Sequence, residues 1–297
     1  MSVPKIERLD EALREYAAHL DKRPIADNTR KAFWGDVRLF ERYMHPDSEQ
    51  PAPLLTQIRR DDVRGFLEHE ERLRRAASPK SLERRLTSLK VFFRFLRERG
   101  HIVLDPADGV PYKPLVDPLP DLLTDEQAER ALRAARDYSA EEKLDVRPLT
   151  VIMLVLDTGI KKSECMALTV HDIVREPRSI EIRYTKKHLK FKERTLPISA
   201  ECLAVLDAHI ERYDLIDKLF PCTGRNLEYL LTGKIAPRAG LATLTFEMLR
   251  WTCATRDFSA GKLHEDQLQH KYGLSPIGWT EMAAKLRRSQ STESVTE

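Results

Sequence analysis

The segment that decides the fold of the first part of the chain runs from Ser81 to Leu96 and reads Ser-Leu-Glu-Arg-Arg-Leu-Thr-Ser-Leu-Lys-Val-Phe-Phe-Arg-Phe-Leu. Ser78 and Pro79 before it are typical of a helix start, and Gly100 after it predicts the end of that helix. Its apolar residues recur at helical spacing and predict one face packed on a core, namely Leu82, Leu86, Leu89, Phe93 and Leu96.

Three more amphipathic patterns precede this helix, over residues 6–20, 28–44 and 60–74, and Asp27 is expected to cap the second of them. Residues 1–104 are therefore predicted to form a helical domain. Prolines then interrupt residues 105–122, which predicts an extended interdomain linker; they are Pro106, Pro111, Pro114, Pro118 and Pro120.

The second domain is predicted over residues 123–288, followed by a polar tail at 289–297. Thr124 and Gln127 resemble a capping box that opens a helix, and residues 149–157 read as a buried helix. Alternating apolar residues between Ser179 and Ile198 predict a small antiparallel unit with a basic turn. The remaining spacing is helical, so the fold class is mainly α with an α+β second domain.

Composition excludes several classes of protein. The chain has 297 residues and a formal net charge of +3, and its apolar runs are too short to cross a bilayer. Four cysteines occur without a Cys-x-x-Cys pair, so we expect no metal and no cofactor. The charged N-terminus does not resemble a secretory signal, which predicts a cytoplasmic protein without a membrane partner.

Basic residues cluster on the last helix of the first domain. Residues 72–99 contain ten Lys or Arg against two acids, Glu83 and Glu98, which leaves +8 on 28 residues. Such density is what a surface that follows DNA phosphates requires, although a solvated charged face has the same composition. The basic residues are Arg72, Arg74, Arg75, Lys80, Arg84, Arg85, Lys90, Arg94, Arg97 and Arg99, of which Arg84, Arg85, Lys90 and Arg94 are the predicted phosphate contacts.

A second basic group occupies the predicted turn of the antiparallel unit. Its position suits entry into a DNA groove, but the same charges would also keep an exposed turn soluble. The group consists of Lys186, Lys187, Lys190, Lys192 and Arg194.

Motifs along nearly the whole chain resemble those of the tyrosine recombinases, also called phage integrases or Xer-like recombinases. In the first domain the matching stretches begin at Asn28, Ile58 and Ser81, and they resemble a four-helix, SAM-like core-binding domain. In the second domain the matching stretches begin at Leu119, Asp157, Lys192, Leu219 and Leu249, in the order of the family's catalytic domain.

The resemblance implies a C-shaped clamp on double-stranded DNA and a mechanism in which a tyrosine hydroxyl attacks the scissile phosphate. Two arginines and a histidine stabilise the growing charge, a hairpin lysine protonates the leaving oxygen, and a second His or Trp completes the pocket. Self-association on DNA, or association with an active recombinase, is also implied.

Several of these pocket positions hold other residues in this chain. The first arginine is replaced by Lys161 in Thr158-Gly-Ile-Lys161, and lysine cannot grip two phosphate oxygens in one plane. The His-x-x-Arg box reads Glu247-Met-Leu-Arg250, which places a carboxylate where a phosphate would bind. Two unit charges at ~4 Å repel by about 4 kcal/mol at an effective dielectric of ~20.

The last two positions also lack the expected groups. Leu274 stands at the third pocket position and Ala283, nine residues further, at the position of the nucleophile. An alternative alignment through His270 puts Trp279 at the nucleophile position, which again lacks a hydroxyl. Of the six groups, only Arg250 and one hairpin lysine, Lys186 or Lys187, are retained.

Three functions stay open on the sequence. The leading one is a DNA-binding relative that does not cleave and acts as an accessory or regulatory factor of recombination, located with the nucleoid. The second is an active recombinase with an unusual nucleophile, Tyr272 or Tyr229. The third is a helical protein-interaction scaffold without DNA binding. If Lys161, Glu247 and Arg250 converge as in the family's pocket, Glu247 is expected to pair with both cations. The alternative is that Glu247 is an exposed helix residue that contacts Arg250, three positions further, and has no role in binding.

Overall fold

The computed structural model of the protein describes residues 6–47, 49–73, 77–112, 118–141 and 145–293. The chain divides between residues 117 and 118 into two compact units, each with its own core. Within the residues described, no helix is both long and apolar enough to span a lipid bilayer. Four residues named in the predictions, Arg74, Arg75, Pro114 and Glu297, lie outside the described residues.

Over its described residues, the first unit contains four α-helices and one short 3₁₀ turn at Leu55–Gln57. The predicted number of helices is confirmed, and so is the apolar stripe of the fourth helix, which is buried in the core of this unit. The helices are α1 (Leu9–Lys22), α2 (Asp27–Met44), α3 (Arg60–Arg72) and α4 (Pro79–Glu98).

The predicted ends of α4 are confirmed, whereas the predicted cap of α2 is wrong. The Ser78 hydroxyl accepts a hydrogen bond from the Ser81 amide at 3.2 Å, and Gly100 leaves the helix with a φ of 76°. Asp27 is instead the first residue of α2, where its carboxylate pairs with Arg30 at 3.2 Å. The carboxylate therefore meets a side chain of the same turn rather than a backbone amide.

The first part of the predicted linker is folded into the first unit. Ala107 and Val110 are buried in its core, at 0% and 3% exposure. The Asp105 carboxylate accepts a hydrogen bond from the Ala107 amide at 2.8 Å, which closes a tight turn. The prolines here therefore shape a compact turn, because two apolar side chains between them reach the core.

The second unit surrounds the apolar helix α6, whose residues Val151–Val155 are all buried. The capping box of Thr124 and Gln127 at the start of α5 is confirmed. The helices of this unit are α5 (Asp125–Ala140), α6 (Arg147–Thr158), α7 (Lys162–Cys165), α8 (Ala200–Tyr213), α9 (Gly224–Tyr229), α10 (Ala236–Arg238), α11 (Phe246–Ala260), α12 (Glu265–Lys271) and α13 (Pro276–Glu293), with a π-helical turn at Leu230–Ile235.

The sheet of the second unit has three antiparallel strands in the order β1-β2-β3. The strands are β1 (Ile173–Val174), β2 (Ser179–Ile182) and β3 (Arg194–Pro197), and β1 is too short to show a period in the sequence. Ile180 pairs with Leu196 and Ile182 with Arg194, so the predicted antiparallel unit is confirmed. A 3₁₀ turn at Lys187–Lys192 lies between β2 and β3 and carries three of the predicted basic residues, Lys187, Lys190 and Lys192.

Candidate nucleic-acid interface

Arg84 on α4 is partly exposed to solvent and also pairs with a buried carboxylate. Its guanidinium lies 2.5 Å from Asp36 on α2, while 45% of its side chain stays exposed. Asp36 is buried and also accepts a hydrogen bond from the Ser88 hydroxyl at 2.7 Å. The charge of Arg84 is thus partly neutralised within the first unit.

The prediction that Arg85 contacts phosphate is wrong, because its side chain is largely buried and paired inside the first unit. Its guanidinium lies 2.6 Å from the buried carboxylate of Glu70 on α3, and only 15% of its side chain is exposed. A charge desolvated in this way requires a nearby partner, and Glu70 supplies it. Arg85 therefore belongs to the packing between α3 and α4.

Lys90 and Arg94 remain on the outer face of α4. The Lys90 ammonium lies 4.2 Å from the ring centroid of Tyr112, a distance typical of a cation–π contact. The Arg94 side chain is exposed and forms no ion pair or hydrogen bond with any side chain in the described part of the chain. Of the four predicted phosphate contacts, Arg94 is therefore the one whose charge is most available to a ligand.

In the second unit, Arg250 is turned inward and bonded to the backbone. Its guanidinium donates to the carbonyl oxygen of Gly159 and, at 3.0 Å, to that of Tyr272. Arg250 is 6% exposed, so its remaining access to solvent is small. The side chain joins the end of α6 to the end of α12.

Lys161 lies beside Arg250 at the start of α7. Its ammonium donates a hydrogen bond to the carbonyl of Gly273 at 3.1 Å. Burial, helped by the charge of Arg250, lowers the pKa of Lys161 to about 8. This lysine is therefore a cation that can lose its charge near neutral pH.

Glu247 does not form the internal pair that the sequence analysis proposed. Its carboxylate accepts a hydrogen bond from the indole nitrogen of Trp251 at 2.7 Å, one turn along α11. No ion pair joins Glu247 to Lys161 or Arg250, all three of which are described. Glu247 is exposed, whereas Arg250, three residues further along α11, is buried and its guanidinium is bonded to backbone carbonyls.

Tyr272 is packed in the interior, which argues against its proposed role as a nucleophile. The residue is 0% exposed, and its hydroxyl donates to the Asp257 carboxylate at 2.5 Å. Burial, together with the nearby Cys253 and Asp257, raises the pKa of Tyr272 well above its usual value. A β-carbon on Gly159 would lie 2.3 Å from the tyrosine ring, so this glycine is needed for the close approach.

Tyr229, the other proposed nucleophile, is 53% exposed at the end of α9. Its ring lies against Gly233, and the ammonium of Lys234 is 5.7 Å from the ring centroid. The hydroxyl of Tyr229 has no hydrogen bond to Lys161 or Arg250 within the described residues.

The last two predicted pocket positions, Leu274 and Ala283, lie in or beside the apolar core of the C-terminal helices. Leu274 is half-buried and packs against this core, while Ala283 on α13 is 2% exposed within it. The cluster also contains Trp251 and Trp279, so both tryptophans are core side chains. The methyl group of Ala283 fills space in a packed interior.

The basic turn between β2 and β3 splits into exposed lysines and one buried arginine. Lys186 and Lys187 are exposed, as expected for a turn that meets a ligand or solvent. Arg194 is 5% exposed and pairs with Glu164 on α7, which corrects its assignment to the basic turn. Tyr184 donates its hydroxyl proton to the same carboxylate at 2.6 Å.

Sequence reasoning missed this buried ion pair, although one signal was present. Arg194 has the same strand parity as Leu196 and Ile198, so its side chain is expected on the inward face of β3. Burial alone would raise the pKa of Glu164, but the hydrogen bonds and charge of Arg194 outweigh it and lower the pKa to about 2. The pair fixes the sheet to α7, next to Lys161.

Two family models match the chain in the order expected from the sequence. The phage integrase N-terminal SAM-like domain matches residues 13–100, and the phage integrase family matches residues 121–272. The chain therefore belongs to the phage integrase family of tyrosine recombinases. The second match ends before Leu274 and Ala283.

Curated relatives and solved structures agree with this assignment. The chain is 27% identical over 298 residues to the tyrosine recombinase XerC of Roseiflexus castenholzii, covering 95% of this chain and 91% of that protein. It is 28% identical over 249 residues to XerC of Listeria monocytogenes, covering 79% of each.

Two solved structures share the fold at low sequence identity. A lambda integrase dimer bound to a COC' core site has a TM-score of 0.72 at 17% identity, covering 93% of this chain and 77% of that one. The Tn1549 transposon integrase in complex with a circular intermediate DNA also has a TM-score of 0.72 at 17% identity, covering 97% and 100%.

Proposed function

We propose that this protein binds double-stranded DNA without cleaving it and acts as an accessory or regulatory factor in site-specific recombination. The observation that carries the proposal is the buried methyl group of Ala283, which stands where the family resemblance implies a tyrosine hydroxyl. Its partners would be DNA together with an active recombinase or further copies of the same chain. Such a ligand would locate the protein at the nucleoid in the cytoplasm.

The chemistry of the predicted pocket residues supports the proposal that the protein does not cleave DNA. Attack on a phosphodiester requires a nucleophile and groups that stabilise the growing negative charge. Leu274 offers no hydrogen bond, and the exposed carboxylate of Glu247 repels a phosphate rather than stabilising it. Arg250 already donates to two backbone carbonyls, so a phosphate would have to compete for its nitrogens.

Retained cations support the DNA-binding part of the proposal. Arg94 in the first unit and Lys186 and Lys187 in the second are exposed, and Lys90 is half-buried beside Tyr112. Each phosphate that such a charge neutralises releases counterions and adds affinity. The lambda and Tn1549 integrases that share this fold were solved with DNA, which favours the same class of ligand here.

Tyr229 supports a second candidate function, an active recombinase with a displaced nucleophile. Its side chain is accessible, unlike that of Tyr272, and it lies next to a lysine. No other pocket group accompanies it, so we rank this candidate below the first.

The test starts with a filter-binding selection: genomic DNA fragments that bind the protein at moderate salt are retained with it on a filter and sequenced. Duplexes built from the retained sequence carry a nick, moved by one nucleotide at a time, so that any cleaved strand is trapped on the protein. We expect salt-dependent binding and no covalent complex on a denaturing gel at any nick position. XerC of Roseiflexus castenholzii on its own site provides the positive control.

A covalent complex that disappears in Tyr229→Phe would establish the second candidate instead. Tyr272→Phe is the matched control, because it removes a hydroxyl that is buried against Asp257. Absence of DNA binding at low salt would leave the interaction scaffold as the remaining function.

A further inference from the structure

Phe191 lies exposed in the middle of the lysine-rich turn between β2 and β3. Of its surface, 60% is accessible, and it belongs to neither the buried core of the second unit nor the residues packed against that core. An aromatic side chain that is mostly exposed to water leaves most of the favourable free energy of burying its apolar area unrealised.

The segment that contains Phe191 is basic. The segment 186–192, which we call the lysine turn, contains Lys186, Lys187, Lys190 and Lys192 and no acidic residue. The Lys192 ammonium is 5.3 Å from the centroid of the Phe191 ring. An aromatic ring surrounded by lysines matches a polyanion that also offers flat apolar surfaces, and stacked DNA bases have both properties.

The base of the lysine turn is held in place. Glu193 accepts a hydrogen bond from the Tyr184 amide at 2.7 Å and pairs with Lys190 at the same distance. Backbone hydrogen bonds close the turn at both ends, from Leu189 to Lys186 and from Glu193 to Lys190. Tyr184 itself packs against the core, so Phe191 is carried on a supported turn.

We propose that Phe191 inserts between neighbouring base pairs of bound DNA, while the lysines of the turn hold the flanking phosphates. Insertion unstacks one base step and bends the duplex, which gives the protein an architectural activity in addition to binding. The inference rests on the proposed function, because it requires DNA as the ligand. It is independent of whether the chain cleaves.

The experiment uses the full chain and the DNA selected above, with 2-aminopurine placed at successive positions and fluorophores at the two ends. We expect the wild-type protein to raise 2-aminopurine fluorescence severalfold at one step and to shorten the end-to-end distance. Phe191→Ala should lose both signals and keep an unchanged salt slope, because no phosphate contact is removed. Phe191→Leu should keep most of the bend, since an apolar wedge remains.

Ile216→Ala is the matched control, because Ile216 is an exposed apolar side chain (81%) outside the lysine turn and should affect neither signal. Equal fluorescence and bending in Phe191→Ala and wild type would overturn the inference and leave the proposed DNA binding intact. Loss of binding to phosphatidylglycerol vesicles in Phe191→Ala, with unchanged DNA signals, would assign the turn to a lipid surface instead. Failure of the wild-type chain to bind any DNA would reject the proposed function itself.

Discussion

Arg194 and Glu164 form a two-point ion pair inside the second unit, with nitrogen–oxygen distances of 3.0 and 2.9 Å. Their side chains are 0% and 1% exposed. Arg194 also donates to the carbonyl of Lys271 at 2.7 Å, so one side chain connects the sheet, α7 and the end of α12. Both charges are paired and hydrogen-bonded, as buried charges must be.

Removal of one partner of this pair should be costly. We expect Arg194→Met to lower the free energy of unfolding by about 3–5 kcal/mol, because Glu164 would keep a buried charge without a partner. Urea unfolding measures the change. Arg183→Met is the control, since Arg183 is 63% exposed beside Glu181 and should cost less than about 1 kcal/mol. Equal losses in the two variants would contradict the buried pair.

The same pair predicts a dependence of stability on pH. The pKa of Glu164 falls from 4.5 to about 2 on folding, so its contribution is complete above pH 4.5 and is lost as the pH falls toward 2. Between pH 6 and pH 3 this amounts to about 2 kcal/mol. The double variant Glu164→Leu with Arg194→Met should lose less stability over this range in urea unfolding; an identical loss would show that other groups dominate.

The lowered pKa of Lys161 leads us to expect that DNA affinity depends on pH. Its pKa of about 8 in the free protein means that the ammonium loses its charge as the pH rises from 7 to 9. If a phosphate requires that charge, the dissociation constant should rise by up to about tenfold over this range. Lys161→Arg, which stays charged, should flatten the pH profile in a fluorescence anisotropy titration. A profile of the same steepness in both proteins would exclude Lys161 from the interface.

Two arginines of α4, Arg85 and Arg94, should behave differently. Arg94→Gln should reduce the slope of log affinity against log salt by about 0.9, the value for one lost phosphate contact. Arg85→Gln should leave the slope unchanged and lower the melting temperature, because Arg85 pairs with the buried Glu70. Titrations at four salt concentrations, with thermal unfolding of both variants, separate these outcomes. A lower slope for Arg85→Gln would restore it to the binding surface.

Restoring a hydroxyl at residue 283 should not restore cleavage. Ala283→Tyr places a large ring in a packed core and should cost about 1–3 kcal/mol or more. The variant should still give no covalent complex on nicked DNA, because Glu247 and Leu274 remain. Ala284→Tyr, at an exposed neighbouring position, is the control for stability. A covalent complex from Ala283→Tyr alone would show that the rest of the pocket is competent.

Much of the fold could be predicted because the relevant signals are local. The stripe of α4, its Ser78 cap and its Gly100 end all lie within one segment, and each is confirmed. The roles of Arg85 and Arg194 could not be predicted from local charge, since their partners Glu70 and Glu164 lie 15 and 30 residues away in the chain. A count of acids within one segment does not include carboxylates on neighbouring helices.

The candidate site shows the same contrast between local sequence signals, which could be predicted, and tertiary contacts, which could not. Motif order placed Lys161, Glu247 and Arg250 in one region, but their bonding depends on backbone carbonyls that no side-chain pattern reveals. Tyr272 met the spacing expected near a nucleophile, yet its close packing on Gly159 is a tertiary relationship. Residue identity therefore located the pocket, whereas burial determined which groups are available in it.

The burial of Ala283 also bears on how this lineage can evolve. A codon change that introduces tyrosine at this position first produces a less stable protein, and under the proposed function no catalytic gain offsets that loss while Glu247 and Leu274 persist. Selection would remove such intermediates before the other substitutions accumulate. Under the proposed function, sequences that descend from this chain are therefore expected to change in what they bind rather than to gain strand cleavage.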